Sequence, residues 1–206
     1  HAMESRLQRM KDAAVDAPDP EEDVAEVHFD CDESATTVLE ATHISKTFAG
    51  RQLFKDVAVT VRKGERIAIV GKNGAGKTTF VRTLLGILGS DSAKSQVRVG
   101  ARVKTGYYDQ QLRGVSMENT VYDEARSWLT NDKETRNLLG AYLFPYDSQD
   151  KKISSLSGGE RARLALLKLS LERNNLLVLD EPTNHLDMEM LESLEDALKE
   201  FPGTLI

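Results

Sequence analysis

The sequence is poor in features that would place it in several common classes of protein. Its 206 residues include a single cysteine, Cys31, which excludes a disulfide framework. No apolar run approaches the roughly 20 residues that a membrane-spanning helix requires, and no signal peptide is recognisable. The net charge is −6, whereas a stand-alone nucleic-acid-binding protein normally carries a basic face. We therefore expect a cytoplasmic protein, and the acidic balance leaves a nucleotide-binding enzyme open.

What is present is typical of one globular domain with a tail. Hydrophobic residues make up 40% and charged residues 29% of the chain, which is long enough to bury a core. The opening tripeptide, residues 1–3, resembles a remnant of cloning and is left out of the fold prediction. Residues 4–36 are acidic and contain two prolines, a composition typical of a linker or arm, either disordered or packed. The folded domain is expected over residues 37–206.

From Thr37 onward, segments typical of strands alternate with segments typical of helices. Residues 37–44 and 56–61 are β-rich and roughly alternating, which predicts strands. The runs RIAIV at 66–70 and LLVLD at 176–180 are continuous and apolar, as in strands that are buried on both faces. Further strands are predicted at 96–100, 102–110 and 203–206.

Helices are predicted from apolar residues at helical spacing and from capping residues. The first begins at Thr78 and has five apolar residues on one face: Phe80, Val81, Leu84, Leu85 and Leu88. Others are expected from Thr120, where Thr120 and Asp123 have capping-box spacing, and over residues 132–143. The last two have apolar faces made of Ala162, Ala165, Leu166 and Leu169, and of Leu191, Leu194, Leu198 and Phe201. Strands alternating with helices indicate an α/β domain with a mostly parallel sheet.

Residues 71–78, GKNGAGKT, fit the phosphate-loop pattern G-x-x-x-x-G-K-T between a predicted strand and a predicted helix. Its three glycines are expected to adopt positive φ, so that backbone N–H groups form an anion-binding nest at the helix N-terminus. Lys77 is expected to reach the β- and γ-phosphates, and the Thr78 hydroxyl to ligate Mg²⁺. The predicted phosphate-binding residues are Gly71, Lys72, Asn73, Gly74, Ala75, Gly76, Lys77, Thr78 and Thr79.

A second anion-binding motif, LSGGE, begins at Leu156. Ser157 and Glu160 have capping-box spacing, so a helix is predicted to begin here. Gly158 and Gly159 leave the backbone N–H groups accessible at the positive end of that helix. One domain has no obvious use for two such sites, but two facing domains do. Each domain's LSGGE would then cover the γ-phosphate held by the other's loop.

These motifs, together with LLVLDE at 176–181, resemble those of the ABC (ATP-binding cassette) ATPases over residues 37–206. The resemblance implies an ABC-type P-loop NTPase fold with a mostly parallel core sheet, an antiparallel β subdomain and a small helical subdomain. It also implies ATP and Mg²⁺ as ligands. ATP is favoured over GTP because the guanine-reading motif N-K-x-D is absent.

The resemblance also implies individual roles. Asp180 would help hold Mg²⁺, and Glu181 would orient or deprotonate the attacking water. Gln110 in YYDQQ matches the glutamine that senses Mg²⁺ and the γ-phosphate, with Gln111 as the neighbouring alternative. Phe48 stands where the family stacks an aromatic ring on adenine, although a core role is the alternative. The signature residues that would contact ATP across an interface are Ser157, Gly158, Gly159 and Glu160.

Within the family, TNHLD at 183–187 and NLLGAYLF at 137–144 resemble the ABC-F subfamily, whose members have two tandem ABC domains and no membrane part. Many members act on the ribosome. The chain is therefore interpreted as the second ABC domain of such a protein, cut before its final strands. The implied partners are the other ABC domain, or a second copy in a weak ATP-dependent homodimer, and the ribosome. The alternatives are the ATPase subunit of a membrane transporter and a regulatory ATP-binding module with little turnover.

His185, between the two acids of EPTNHLD, is not interpreted as catalytic, because the family's switch histidine lies after the next strand. A metal site there is disfavoured as well, since no second histidine or cysteine stands at ligand spacing. Ribosomal RNA would favour lysine and arginine contacts. The basic residues of the helical insert form either a local basic face or an ordinary solvated surface: Arg113, Lys133, Arg136, Lys151 and Lys152.

Overall fold

The computed structural model describes residues 27–108, residue 112 and residues 114–206. The first sheet is antiparallel and consists of β1 (Thr37–Phe48), β2 (Arg51–Arg62) and β3 (Gln96–Val99), in the order β2-β1-β3. The second sheet is parallel and consists of β4 (Thr105–Tyr108), β5 (Leu176–Leu179) and β6 (Thr204–Leu205), in the order β4-β5-β6.

The helices lie in three parts of the chain: after the phosphate loop, in the insert between β4 and β5, and between β5 and β6. The phosphate loop leads into α1 (Lys77–Leu84), and the insert between β4 and β5 contains α2 (Val121–Trp128), α3 (Asp132–Ala141), α4 (Tyr146–Gln149), the 3₁₀ turn Ile153–Ser155 and α5 (Gly158–Leu171). The helix α6 (Met188–Glu200) joins β5 to β6. Within the described residues, no helix combines the length and the apolar character needed to cross a membrane.

Two hydrophobic clusters meet at β5, which is buried on both faces as its apolar run predicts. Leu177 packs in the cluster shared with α5 and α6, whereas Leu176 and Val178 pack in the cluster shared with β1 and α1. All three side chains are at most 1% exposed. Burial on both faces holds β5 in place. It therefore also fixes the positions of Asp180 and Glu181, which directly follow the strand.

The segment 66–70 differs from the prediction of a buried strand. It makes a single bridge, Arg66 to Leu205, and Val70 is 90% exposed. Its pairing partner is β6, and the two are hydrogen-bonded only at the start of the segment, where the Ile67 N–H donates to the Leu205 carbonyl. An apolar run becomes a strand only where backbone partners flank it, so the prediction was wrong for the described structure.

Two helices differ in detail from their predicted apolar faces. The helix α1 ends at Leu84, before Leu88, because Gly86 adopts a left-handed φ of 70° and its N–H bonds to the Thr83 carbonyl. The predicted face of α5 is confirmed, since Ala162, Ala165, Leu166 and Leu169 are all buried. In α6 the buried face is rotated slightly and consists of Met190, Leu194 and Ala197, and Phe201, directly after the helix, is buried as well.

Part of the acidic arm packs on the domain. Val27 and Phe29 are each 3% exposed, and the Phe29 ring meets Phe201 edge-on with the centroids 6.1 Å apart. The Val27 N–H donates to Ser193 Oγ of α6 at 2.8 Å. The arm is therefore packed in its described part, and residues 4–26 lie outside the described residues.

Candidate nucleotide-binding site

The phosphate loop turns sharply between the segment 66–70 and α1. Gly74 and Gly76 adopt left-handed φ values of 73° and 102°, as predicted. A Cβ added at Gly76 would lie 3.1 Å from Leu53 Cδ1, so strain and lack of space both favour glycine. The prediction was wrong for Gly71, whose φ is not left-handed and whose added Cβ would make an ordinary 3.4 Å contact with Ala75.

Lys77, the first residue of α1, folds back over the loop. Its Nζ donates to the Gly71 carbonyl at 3.1 Å and to the Lys72 carbonyl at 3.4 Å. The same Nζ lies 3.9 Å from Oε1 of Glu181. The ammonium group therefore lies between the loop and the carboxylate, where it can contact the terminal phosphate of a bound nucleotide.

Thr78 and Asp180 meet at the carboxyl end of the parallel sheet. Thr78 Oγ1 donates to Asp180 Oδ1 at 2.9 Å. A hydroxyl and a carboxylate are the hard oxygen ligands that Mg²⁺ prefers, usually together with water and phosphate oxygens. In the described part of the chain, no three His, Cys, Asp or Glu residues are grouped so as to hold a metal alone. The donor set therefore fits Mg²⁺ that is shared with a nucleotide.

Glu181 follows Asp180 at the mouth of the site, and its side chain is 51% exposed. Its φ of 54° is uncommon for a residue other than glycine. Asn184 Nδ2 donates to Glu181 Oε2 at 2.8 Å, a contact that the sequence reasoning missed. Asn184 therefore orients the carboxylate that the resemblance assigns to the attacking water.

Tyr107 is a second residue that the sequence reasoning missed. Its hydroxyl donates to Asp180 Oδ2 at 3.1 Å, and Arg82 Nε donates to the Tyr107 oxygen at 3.3 Å. Burial raises the pKa of Tyr107, the Arg82 contact opposes this effect, and the Asp180 charge adds to it. A signal was available, because the segments containing Tyr107 and Asp180 were both predicted as strands of a mostly parallel sheet, and parallel strands place their carboxyl ends at one edge.

The signature motif forms the predicted capping box at the start of α5. Ser157 Oγ accepts from Glu160 N–H at 3.2 Å, and Glu160 Oε2 accepts from Ser157 N–H at 2.8 Å. The Ser157 N–H holds the pKa of the Glu160 carboxyl below its usual range. This stabilisation is thus present above the ordinary pKa of a glutamate and is lost as the pH falls through the lowered value.

His185 lies against this motif. A Cβ added at Gly158 would lie 3.3 Å from His185 Nδ1, and one at Gly159 would lie 3.1 Å from the His185 carbonyl oxygen. Arg163 of α5 also pairs with Asp187 at 3.1 Å. The turn after Glu181 is therefore anchored on the signature helix, while Ser157 and Gly158 remain exposed.

Phe48 and Gln110 were predicted from the family resemblance. Phe48 ends β1 at the tip of the antiparallel hairpin and is 69% exposed, so the core role is wrong and the ring is accessible to a ligand. Gln110, like Gln111, lies outside the described residues.

A family profile described as ABC transporter matches residues 54–184, which is more than half of the chain. The putative ATP-binding protein YdiF of Bacillus subtilis is 40% identical over 205 residues, covering 98% of this chain and 31% of the relative. ABC transporter F family member 5 of Arabidopsis thaliana is 38% identical over 179 residues, covering 84% and 25%. The energy-dependent translational throttle protein EttA of Mycobacterium tuberculosis is 35% identical over 210 residues, covering 98% and 37%. The chain thus spans about a third of the length of these relatives.

Among solved structures, a dimeric ATP-binding cassette in a post-hydrolysis state, bound to ADP and Pi, matches with a TM-score of 0.64 and 19% identity. The match covers 82% of this chain and 86% of that one. At this identity the likeness concerns the fold alone. It confirms the prediction of an ABC-type α/β fold with a parallel core sheet, an antiparallel β subdomain and a helical subdomain.

Proposed function

Because the chain belongs to the ABC transporter family and is most like its ABC-F members, we propose that it binds and hydrolyses MgATP within a longer protein that acts on ribosomes. One observation carries the hydrolytic part of the proposal. The phosphate-loop lysine and two consecutive carboxylates converge, with Lys77 Nζ lying 3.9 Å from Glu181 Oε1 and Thr78 bonded to Asp180.

The chain's own residues supply binding, orientation and proton transfer. Loop N–H groups and Lys77 hold the phosphates, because the helix N-terminus and the ammonium both favour negative charge. Thr78 and Asp180 hold Mg²⁺, which when bound neutralises charge on the β- and γ-phosphates. Glu181 orients the attacking water or accepts its proton, and Asn184 and Lys77 fix the direction of its carboxylate.

The site needs a second signature motif from another domain. Ser157 and Gly158 are exposed at the positive end of α5, so they are accessible to a nucleotide held by a facing domain. We assign that domain to the same full-length protein, because the chain spans only about a third of its relatives. A weak ATP-dependent homodimer is the second arrangement, since loop and signature are self-complementary.

The ribosomal part of the proposal is supported by a relative named as a translational throttle, which aligns over 98% of this chain. The basic residues of the helical insert do not support ribosome binding. Arg136 lies over the Tyr122 and Tyr146 rings, Lys151 pairs with Glu160, and Lys152 pairs with Glu118, whereas Lys133 is exposed and stands apart from these pairs. Arg113 lies outside the described residues. We therefore place the RNA contacts of the cytoplasmic full-length protein elsewhere in its structure.

Co-sedimentation with ribosomes tests this part directly. The full-length protein carries Glu181→Gln and the matching change in its other domain, and it is spun through a sucrose cushion with and without MgATP. We expect pelleting with ribosomes only when MgATP is present, because the closed pair of domains persists without hydrolysis. A companion that also carries Lys77→Ala should stay in the supernatant. An ATP-competent protein that never pellets with ribosomes, or that co-purifies with membranes, would overturn the ribosomal assignment in favour of a transporter or another partner.

Phe48 gives a separate test of adenine binding. Replacing it with alanine should weaken ATP binding about tenfold, because base–aromatic stacking contributes roughly 1–3 kcal/mol. Phe48→Trp should keep the parental affinity, since a ring remains at the hairpin tip. Tyr146→Ala, at another exposed aromatic residue, is the matched control and should leave the affinity unchanged. Titration with a fluorescent ATP analogue measures all three, and an unchanged affinity in Phe48→Ala would remove Phe48 from the site.

A further inference from the structure

Both carboxylate oxygens of Asp180 accept hydrogen bonds from hydroxyl groups. Thr78 donates to Oδ1 at 2.9 Å and Tyr107 donates to Oδ2 at 3.1 Å. Thr78 belongs to the phosphate loop, whereas Tyr107 lies on β4, and the sequence analysis assigned it no role. The second contact therefore connects the candidate magnesium carboxylate to β4, the strand that pairs with β5.

The direction of the Tyr107 bond is set by Arg82. A phenol hydroxyl has one proton, and its oxygen already accepts from Arg82 Nε at 3.3 Å. The proton is therefore left to donate toward Asp180. Arg82 lies on α1, one turn beyond Thr78, so the three groups come from α1, β4 and the end of β5. Such a bond restricts the rotation of the carboxylate.

The neighbouring tyrosine shows that this arrangement is specific to one position. Tyr108 is 1% exposed, and burial raises its pKa to about 12. Within the described residues, its hydroxyl oxygen has no hydrogen-bond partner. Two adjacent tyrosines therefore differ in one respect that matters here, because only the hydroxyl of Tyr107 contacts Asp180.

We propose that Tyr107 is a positioning residue that holds Asp180 in the orientation needed to bind Mg²⁺ with a nucleotide. This inference rests on the proposed function, because it assumes that Asp180 contacts the metal. Groups that hydrogen-bond to metal-binding side chains orient them, and their loss typically lowers metal affinity about 10–100-fold. We expect an effect of this order when the Tyr107 hydroxyl is removed. In this role Tyr107 acts through Asp180.

The test compares Tyr107→Phe with Tyr108→Phe in the full-length protein that also carries Glu181→Gln, so that nucleotide is not consumed. A fluorescent ATP analogue is first bound in EDTA and then titrated with Mg²⁺. Tyr107→Phe should raise the Mg²⁺ concentration for half-maximal effect about tenfold and leave the metal-free affinity unchanged. Tyr108→Phe should match the parent in both quantities, because it removes only an unpaired buried hydroxyl.

The outcomes separate this inference from the proposed function. Equal Mg²⁺ requirements for the parent and Tyr107→Phe would overturn the role of Tyr107. A loss of affinity in EDTA as large as that in Mg²⁺ would also overturn it, because a merely structural role would affect both. A parent protein whose nucleotide binding does not respond to Mg²⁺ would contradict the proposed function itself. Thermal unfolding of each variant reports whether the fold is kept.

Discussion

Replacing Glu181 with glutamine is expected to lower steady-state ATP hydrolysis by about 10²–10⁴-fold while leaving ATP binding intact. Glutamine keeps the size of the side chain and can still contact Asn184, but it cannot accept a proton from the attacking water. Lys77 would lose one charged neighbour at 3.9 Å, which should not weaken phosphate binding. The substitution should therefore lower the rate of turnover without changing the affinity for ATP.

The measurement is steady-state phosphate release by the full-length protein, paired with a titration of ATP binding. Glu189→Gln, at an exposed glutamate in the first turn of α6, is the matched control and should keep the parental rate. Hydrolysis by Glu181→Gln at the parental rate would mean that another group acts as the base. An absence of single turnover in the parent would instead favour a regulatory ATP-binding module.

Replacing Lys77 with methionine is expected to weaken ATP binding by roughly 100-fold or more. Hydrogen bonds to charged groups contribute about 1.5–3 kcal/mol each, and the ammonium is placed to contact two phosphates. Methionine keeps much of the apolar stem, so the fold and the start of α1 should persist. The Gly71 and Lys72 carbonyls would lose their donor but would remain accessible to water.

Titration with a fluorescent ATP analogue measures this loss. The control is Lys55→Met, which removes an exposed lysine of β2 and should leave the affinity unchanged. Circular dichroism should show the same helix content in both variants. Unchanged ATP affinity in a folded Lys77→Met protein would place the nucleotide outside the phosphate loop.

Local sequence patterns predicted the parts of the structure that local interactions determine. The Ser157–Glu160 capping box closes within one turn, so residue spacing is sufficient to predict it. The apolar run of β5 predicted a strand that is buried on both faces. Two of the three phosphate-loop glycines adopt the left-handed backbone that their motif predicts, and Gly71 does not.

Contacts between distant parts of the chain account for what the sequence did not predict. The Tyr107–Asp180 bond joins residues 73 positions apart, and it depends on the pairing of β4 with β5. The segment 66–70 has a strand-like composition but lacks the backbone partners that make a strand. Val27 and Phe29 were predicted as part of an acidic arm, yet both are buried, because they contact Ser193 of α6 and Phe201, which directly follows that helix.

We propose that this chain holds MgATP between its phosphate loop and the carboxylates that follow β5. A structure of the Glu181→Gln protein with bound MgATP tests it most directly. We expect the γ-phosphate to contact Lys77 Nζ, the metal to lie beside Thr78 and Asp180, and Tyr107 to remain bonded to Asp180. A nucleotide bound away from Lys77, or a metal that does not approach Asp180, would contradict the account.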